Sequence, residues 1–372
     1  MPAQSIPIWH LRKKNDTIAL IDKKFMTIQQ LFETAVAKSA SDLHLVVGRP
    51  PMLRVDGQLL EIEGIPELAG KTAKELITSL LDDHQQKVFQ EERELDISYQ
   101  LPDKHRFRIN LHWERGNMGL VARMIPLQPP TMEEISMPEV IYDLLSAHQG
   151  LILMTGPTGC GKSTSLAAML DHINTNRTAN IITLEDPIEF IYESKKSIIK
   201  QRQLGSDMRS FAQALKHVLR QDPNVILVGE MRDLETIAAT ITLAETGHLV
   251  LATLHTFSAA QTVDRIIDVF HPYQQNQVRL QLSFFLRGIL SQQLIPKIGG
   301  GRVAVREILV NTPAVANMIR ENKLAQIRTA IQTSAEVGMR TMDQDILELF
   351  QNGLLEKEVA VSYMTNPQEL DE

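Results

Sequence analysis

The stretch "LILMTGPTGCGKSTSLAAMLDHI", residues 151 to 173, decides the fold. An apolar run that reads as a buried strand leads into "GPTGCGKST" (156 to 164), which fits G-x-x-x-x-G-K-[ST], and a helical pattern follows at once. A phosphate cradle requires that order. Gly156, Gly159 and Gly161 let backbone N–H groups, with those of Thr158 and Cys160, turn inward, and the helix start adds its positive end. Lys162 is then placed to reach the β and γ phosphates of ATP and Ser163 to ligate Mg²⁺, with Thr164 closing the motif.

Working outward, "GLILMTG", "ANIITLED", "NVILVGE" and "HLVLATLH" each precede or follow a helical pattern. Such alternation predicts an α/β fold with a parallel, helix-covered sheet. "QQLIPKIGGGRVAVREILV" reads as a hairpin turning on its triple glycine, and the chain from Ala314 onward is helical. Upstream, the helical "IQQLFETAVAKSA" and the amphipathic "AKELITSLLDDHQQKVFQEE" are interspersed with the strands "DLHLVV", "LDISYQL", "HRFRINLHW" and "MGLVARMI". That mixture predicts a small α+β domain. The expected division is a polar extension over 1–24, the α+β domain over 25–125, a proline-rich linker over 126–137 and the α/β domain over 138–372.

A chain of 372 residues is too long for one ordinary core. Its net charge of -7 and 5% aromatic content argue against nucleic acid as a partner. No apolar stretch is long enough to span a bilayer, and "MPAQSIPIWHLRKKNDT" lacks the apolar core of a signal peptide, so a cytoplasmic location is expected. The single cysteine, Cys160, excludes an internal disulfide and a multi-cysteine zinc module.

Hydrolysis needs a group that positions water and groups that complete the magnesium shell. In an α/β sheet the ligand crevice lies at the carboxyl ends of the strands, where "IITLEDPIEF" and "VILVGEMRD" deliver acids. Glu230 is the candidate that orients or deprotonates the attacking water, while Glu185 and Asp186 are candidates for magnesium, directly or through water. The alternatives are a cap or turn before Pro187 and a salt bridge from Glu230 to Arg232. The usual Walker B aspartate is missing, because Gly229 precedes Glu230 at that strand end.

"AETGHLVLATLHT" (244 to 256) sets His248 and His255 at the two ends of one strand. Seven residues of strand separate them by roughly 23 Å, so they cannot share a metal ion. His255 stands at the phosphate end and is a candidate sensor of the γ-phosphate. His248 begins the strand, and its functional reading requires an interface or a relay; otherwise it is a satisfied histidine at a strand start.

Together, "SDLHL" (41 to 45), "GPTGCGKST", "TLEDPIEF", "ILVGEMRDLET" and "AETGHLVLATLHT" resemble the secretion ATPases of the type II secretion and type IV pilus systems. The resemblance implies a PAS-like N-terminal domain, a RecA-like P-loop ATPase domain with C-terminal helices, and a homohexamer with nucleotide between protomers. It implies that Arg108, Arg115 and Arg123 act as fingers for a neighbour's phosphates. "AVANMIRE" (314 to 321) further resembles a motif of the pilus-retraction branch, keeping Asn317, Arg320 and Glu321 but carrying Ala316 in place of an arginine. Implied partners are the inner-membrane platform protein of a type IV pilus, pilin indirectly, and an accessory retraction ATPase; the chain would dock at the cytoplasmic face of that membrane. The accessory paralogue itself is an alternative identity, as is an assembly or type II secretion ATPase, though the lack of a tetracysteine insertion disfavours the last two. A RecA-like nucleic-acid motor and a non-hydrolysing ring scaffold are the competing classes.

Overall fold

A computed structural model describes residues 25 to 370 apart from 56, 103, 104, 126 and 127. The extension over 1–24 lies outside the described residues. Two compact units divide the chain between residues 126 and 127.

The first unit runs α1 (Ile28–Ala37), β1 (Asp42–Leu45), β2 (Met52–Val55), β3 (Gln58–Glu61), α2 (Gly70–Thr78), α3 (Asp83–Glu92), β4 (Glu94–Gln100), β5 (Arg106–Glu114) and β6 (Asn117–Ile125). Its six strands form an antiparallel sheet in the order β3-β2-β1-β6-β5-β4. Alternation along β5 sends Phe107, Ile109 and Leu111 into the core, where Phe107 stacks on Phe32 of α1, and leaves Arg108 and Asn110 on the other face. The amphipathic stretch expected as one helix is two. Asp82 accepts from the main-chain N–H groups of His84 and Gln85 while the Gln85 side chain accepts from Asp82 N–H, a capping box that starts α3 afresh.

The second unit contains α4 (Glu139–Ser146), β7 (Gly150–Thr155), α5 (Lys162–Asn176), β8 (Asn180–Glu185), β9 (Ile198–Gln203), α6 (Phe211–Val218), β10 (Val225–Val228), α7 (Leu234–Glu245), β11 (Leu249–Leu254), α8 (Ala259–Asp268) and α9 (Pro272–Phe285). It continues through β12 (Leu286–Pro296), β13 (Arg302–Val310), α10 (Pro313–Arg320), α11 (Ile327–Gln332), α12 (Met342–Gln351) and α13 (Lys357–Tyr363). The sheet order is β13-β12-β7-β11-β10-β8-β9, parallel except for β13, which pairs antiparallel with β12 across the Gly299–Gly301 turn.

The apolar strands have helices on both faces, and their residues divide by parity. Leu151, Leu153, Ile182, Leu184, Ile226, Val228, Val250 and Ala252 pack with α6 to α11, whereas Ile152, Met154, Ile181, Val225, Leu227, Leu249 and Leu251 pack with α4 and α5. The segment read as a linker is, over 128–137, part of this unit. Met132 and Met137 are buried in the second of those clusters, and Arg306 donates to the carbonyls of Ile135 and Ser136. Two buried methionines without helical or strand spacing gave the sequence pattern nothing to register.

Candidate active site

Register alone brings the candidate groups to one edge. Thr155 lies beside Leu254, Ala252 beside Val228, and Val228 beside Leu184, so the carboxyl ends of β7, β11, β10 and β8 are level. They deliver Gly156, His255, Glu230 and Glu185 to the side of the sheet where α/β folds bind ligands.

The loop after β7 is held in conformations that need glycine. Gly156 has φ +137°, and a Cβ there would stand 2.2 Å from the main-chain oxygen of Gln292. Gly161, at φ +86°, caps the start of α5. Thr158 and Ser163 are exposed, Thr164 is half-buried, and Cys160 is buried. The Cys160 N–H reaches the Pro157 carbonyl at 3.3 Å, so it is engaged within the loop, and burial pushes its thiol up, away from reactivity. Lys162 Nζ donates to the carbonyls of Gly156 at 2.7 Å and Pro157 at 3.0 Å. Burial lowers its amine, and the charges of Cys160, Glu230 and Glu189 push the other way.

Glu230 is the hub of the acidic edge. Oε2 accepts from Arg232 at 2.8 Å and Oε1 lies 2.9 Å from His255 Nε2. Partial burial pushes this carboxyl up, but Arg232 and then His255 outweigh it and hold the group below its ordinary value. The salt bridge that offered the plain alternative for Glu230 therefore exists, and it coexists with the histidine contact. Around the carboxylate the backbone is tied down: Thr253 Oγ1 donates to the Gly229 carbonyl, and Met231 N–H to Thr253 O at 3.1 Å. Gly229 itself lies against β8, where a Cβ would come within 3.0 Å of Leu184 O and 3.3 Å of Glu185 Cα.

Of the two acids after β8, Asp186 is exposed and near enough to Arg232 to raise the guanidinium, while Glu185 is buried. Glu185 Oε1 accepts from Thr183 Oγ1 at 2.6 Å and Gln201 Nε2 at 3.2 Å, and burial pushes its carboxyl up. Both bonds fall on Oε1 and hold the carboxyl in place at the end of β8. Among the described residues no group of three or more His, Cys, Asp or Glu could hold a metal ion. Ser163 and Asp186, both exposed, are oxygen donors of the kind magnesium takes one or two of beside those of a nucleotide.

Other candidates lie apart. His248 Nδ1 is 3.0 Å from the Leu243 carbonyl and 3.2 Å from Thr246 Oγ1, contacts local to the α7–β11 turn. Asn317, Arg320 and Glu321 are exposed on or just after α10, with Arg320 donating to Asn317 Oδ1 at 3.3 Å, while Ala316 faces the core. On the first unit, Arg108 and Arg123 are direct neighbours across β5 and β6, and Arg123 Nε donates to buried Asp42 at 2.9 Å. Arg115 occupies the tip of the β5–β6 hairpin at φ 47°, and seven residues of strand put it roughly 23 Å from Arg108. The three arginines are thus a pair and a single residue, not one cluster. Sequence reasoning missed Glu189 and gave Arg232 no role beyond a salt bridge; it also overlooked Gln292, whose signal was a polar residue within the apolar run "ILSQQLI".

Known proteins resemble this chain over most of its length. Residues 20–300 match the family described as Type II/IV secretion system protein. The chain is 49% identical over 335 residues to the type IV pilus retraction ATPase PilT of Pseudomonas aeruginosa, covering 90% of this chain and 97% of that one. It is 45% identical to a twitching motility protein of Neisseria gonorrhoeae, covering 90% and 89%. A crystal structure of the pilus retraction motor PilT with bound ADP superposes with a TM-score of 0.87 at 42% identity, covering 93% of this chain and 99% of that one. With a glycine-rich loop, a Gly229-Glu230 strand end and a histidine on that glutamate all in the matched span, the chain belongs to the type II/IV secretion system protein family.

Proposed function

We propose that this chain is an ATP-hydrolysing motor that powers retraction of a type IV pilus as a homohexameric ring. The observation that carries the reading is the meeting of Glu230 with His255 at the strand edge beside Lys162. ATP lies along residues 156–164, with Lys162 transferring its bonds from the loop carbonyls to the phosphates. Ser163, Glu185 and Asp186 would hold a magnesium ion, directly or through water, and the ion would supply neutralisation of phosphate charge. Glu230 holds a water in line with the γ-phosphorus; the water oxygen forms the new P–O bond as the β–γ bridging bond breaks and ADP leaves. A carboxylate held below its usual pKa is a weak base, so Glu230 acts chiefly by orienting and polarising that water, with its proton passing to phosphate oxygen.

Arg108, Arg115 and Arg123 are the proposed fingers toward a neighbouring protomer's phosphates, since a guanidinium suits the charge of a transferring phosphoryl group. His248, Asn317, Arg320 and Glu321 are proposed to couple protomers or dock the inner-membrane platform protein, and pilin is moved indirectly. No helix among the described residues is long and apolar enough to cross a membrane, and the proposed place of work is the cytoplasmic face of the pilus machine.

The test is magnesium-dependent phosphate release at a protein concentration where rings form, paired with restoration of twitching in cells lacking their retraction ATPase. Release and twitching that both vanish in Lys162→Ala support the proposal. No release from assembled wild-type rings would sink it, and stimulation by single-stranded DNA would revive a nucleic-acid motor.

A further inference from the structure

Beneath the phosphate loop lies a side chain the reaction above does not use. Gln292, within β12, is 2% exposed, and both ends of its amide are engaged. Nε2 donates to the Cys160 carbonyl at 2.7 Å; Oε1 accepts from Ser165 Oγ at 3.0 Å and from Arg306 Nε at 2.8 Å. Its main-chain oxygen is the atom a Cβ on Gly156 would strike, and its Nε2 lies 3.1 Å from where a Cβ on Gly161 would stand. One residue therefore touches the loop at its entrance, its middle and the helix start.

Peptide planarity turns this grip into an orientation. Across a trans peptide the carbonyl of Cys160 and the N–H of Gly161 point in opposite directions. With the carbonyl held down on β12, the Gly161 N–H faces away from the strand, toward the cradle. Arg306 supports the amide from behind. It is 3% exposed, and its guanidinium bonds reach only neutral oxygens: Gln292, Ser136 and Ile135. A cation on Oε1 polarises the amide and makes Nε2–H a better donor. The Arg306 main-chain N–H in turn donates to Asp345 Oδ2 of α12 at 2.7 Å.

We propose that Gln292 is a positioning residue of the nucleotide site: held by Arg306, it fixes the Cys160 carbonyl and thereby presents the Gly161 N–H to a phosphate oxygen of a nucleoside di- or triphosphate. This rests on the nucleotide reading of the loop. Gln292→Met keeps the volume and removes the donor. Ser165→Ala removes another bond of the same amide but leaves the grip on Cys160.

Fluorescent ADP titration, ATP hydrolysis and thermal melting are measured on both variants and the wild type. Gln292→Met raises the ADP Kd and the ATP KM about tenfold, the order expected for one hydrogen bond to a charged phosphate. Its kcat stays within about threefold, since that bond is made in ground and transition states alike. Ser165→Ala lowers the melting temperature but leaves the Kd within about twofold of wild type. Wild-type affinity in Gln292→Met, or equal weakening in Ser165→Ala, overturns the assignment. Failure of the wild-type chain itself to bind ADP overturns the nucleotide reading instead, and this one with it. The wild-type ADP complex gives a check that needs no variant: Gly161 N–H on a phosphate oxygen, with the Cys160 carbonyl still on Gln292. A carbonyl released from Gln292 in that complex refutes the proposal.

Discussion

Replacing Glu230 by Gln tests the site at its hub. The amide keeps an acceptor for Arg232 or His255 but loses the charge that both contacts use. A positioned acid or base contributes roughly 10²- to 10⁴-fold, so hydrolysis should fall by that factor, about 3 to 5 kcal/mol of barrier. Stability should hardly move. Arg232 is 67% exposed, and a pair open to solvent on one side contributes about 0–1 kcal/mol, or at most roughly 4 °C in melting temperature for a unit of this size. ADP affinity should hold or improve, because a negative charge near Lys162 is removed. The pH dependence has a definite sign. The folded carboxyl lies below its ordinary 4.5, so its contribution to stability is present above that value and is lost as pH falls through the folded pKa. Wild type and variant should therefore converge as pH falls into the acid range. Phosphate release, ADP titration and melts on ring fractions of matched size would settle it. Turnover within tenfold of wild type, with rings intact, refutes the role given to Glu230.

Four further outcomes are expected. His255→Ala removes one of the two contacts of Glu230, and its kcat should drop at least tenfold while ADP Kd changes less than threefold, as phosphate release and ADP titration will report; a change confined to the melt removes His255 from the reaction. Gly156→Ala puts a methyl 2.2 Å from the Gln292 oxygen at a φ that L residues rarely adopt, so nucleotide binding should be lost and the melting temperature should fall, both measurable in one thermal-shift titration with ADP. Arg123→Ala should destabilise the first unit by about 0–1 kcal/mol in chemical denaturation, because Arg123 is mostly exposed and Asp42 keeps the bond from Ser41, while Arg115→Gly at the hairpin tip should be neutral or stabilising by about 0.5 kcal/mol.

The four apolar strands and the phosphate loop were legible because a strand buried on both faces must be apolar throughout, and because glycine spacing in a phosphate loop follows from backbone geometry. Strand β9, "IIKQRQ", was not, since an edge strand shows polar side chains to solvent and looks like a loop until β8 pairs with it. The break between α2 and α3 was written only in the reciprocal bonds of Asp82 and Gln85, while the apolar pattern ran straight through. Glu185 illustrates a different limit. A carboxylate at a strand end reads as a ligand, and its burial and the bonds from Thr183 and Gln201 are not written in that pattern. Strand direction already separates His248 from His255 in the sequence; the contacts of His248 within its turn and of His255 with Glu230 are not written there.

Gly229 closes a path that sequence drift would otherwise leave open. Nearly any side chain there must push the ends of β10 and β8 apart, since even a Cβ meets Leu184 O at 3.0 Å. An aspartate of the common P-loop type at this strand end would need β10 and β8 to give by a few tenths of an ångström, beside the contact that joins Glu230 to His255. A designer wishing to move the acid would have to relax two strands together with changing one residue.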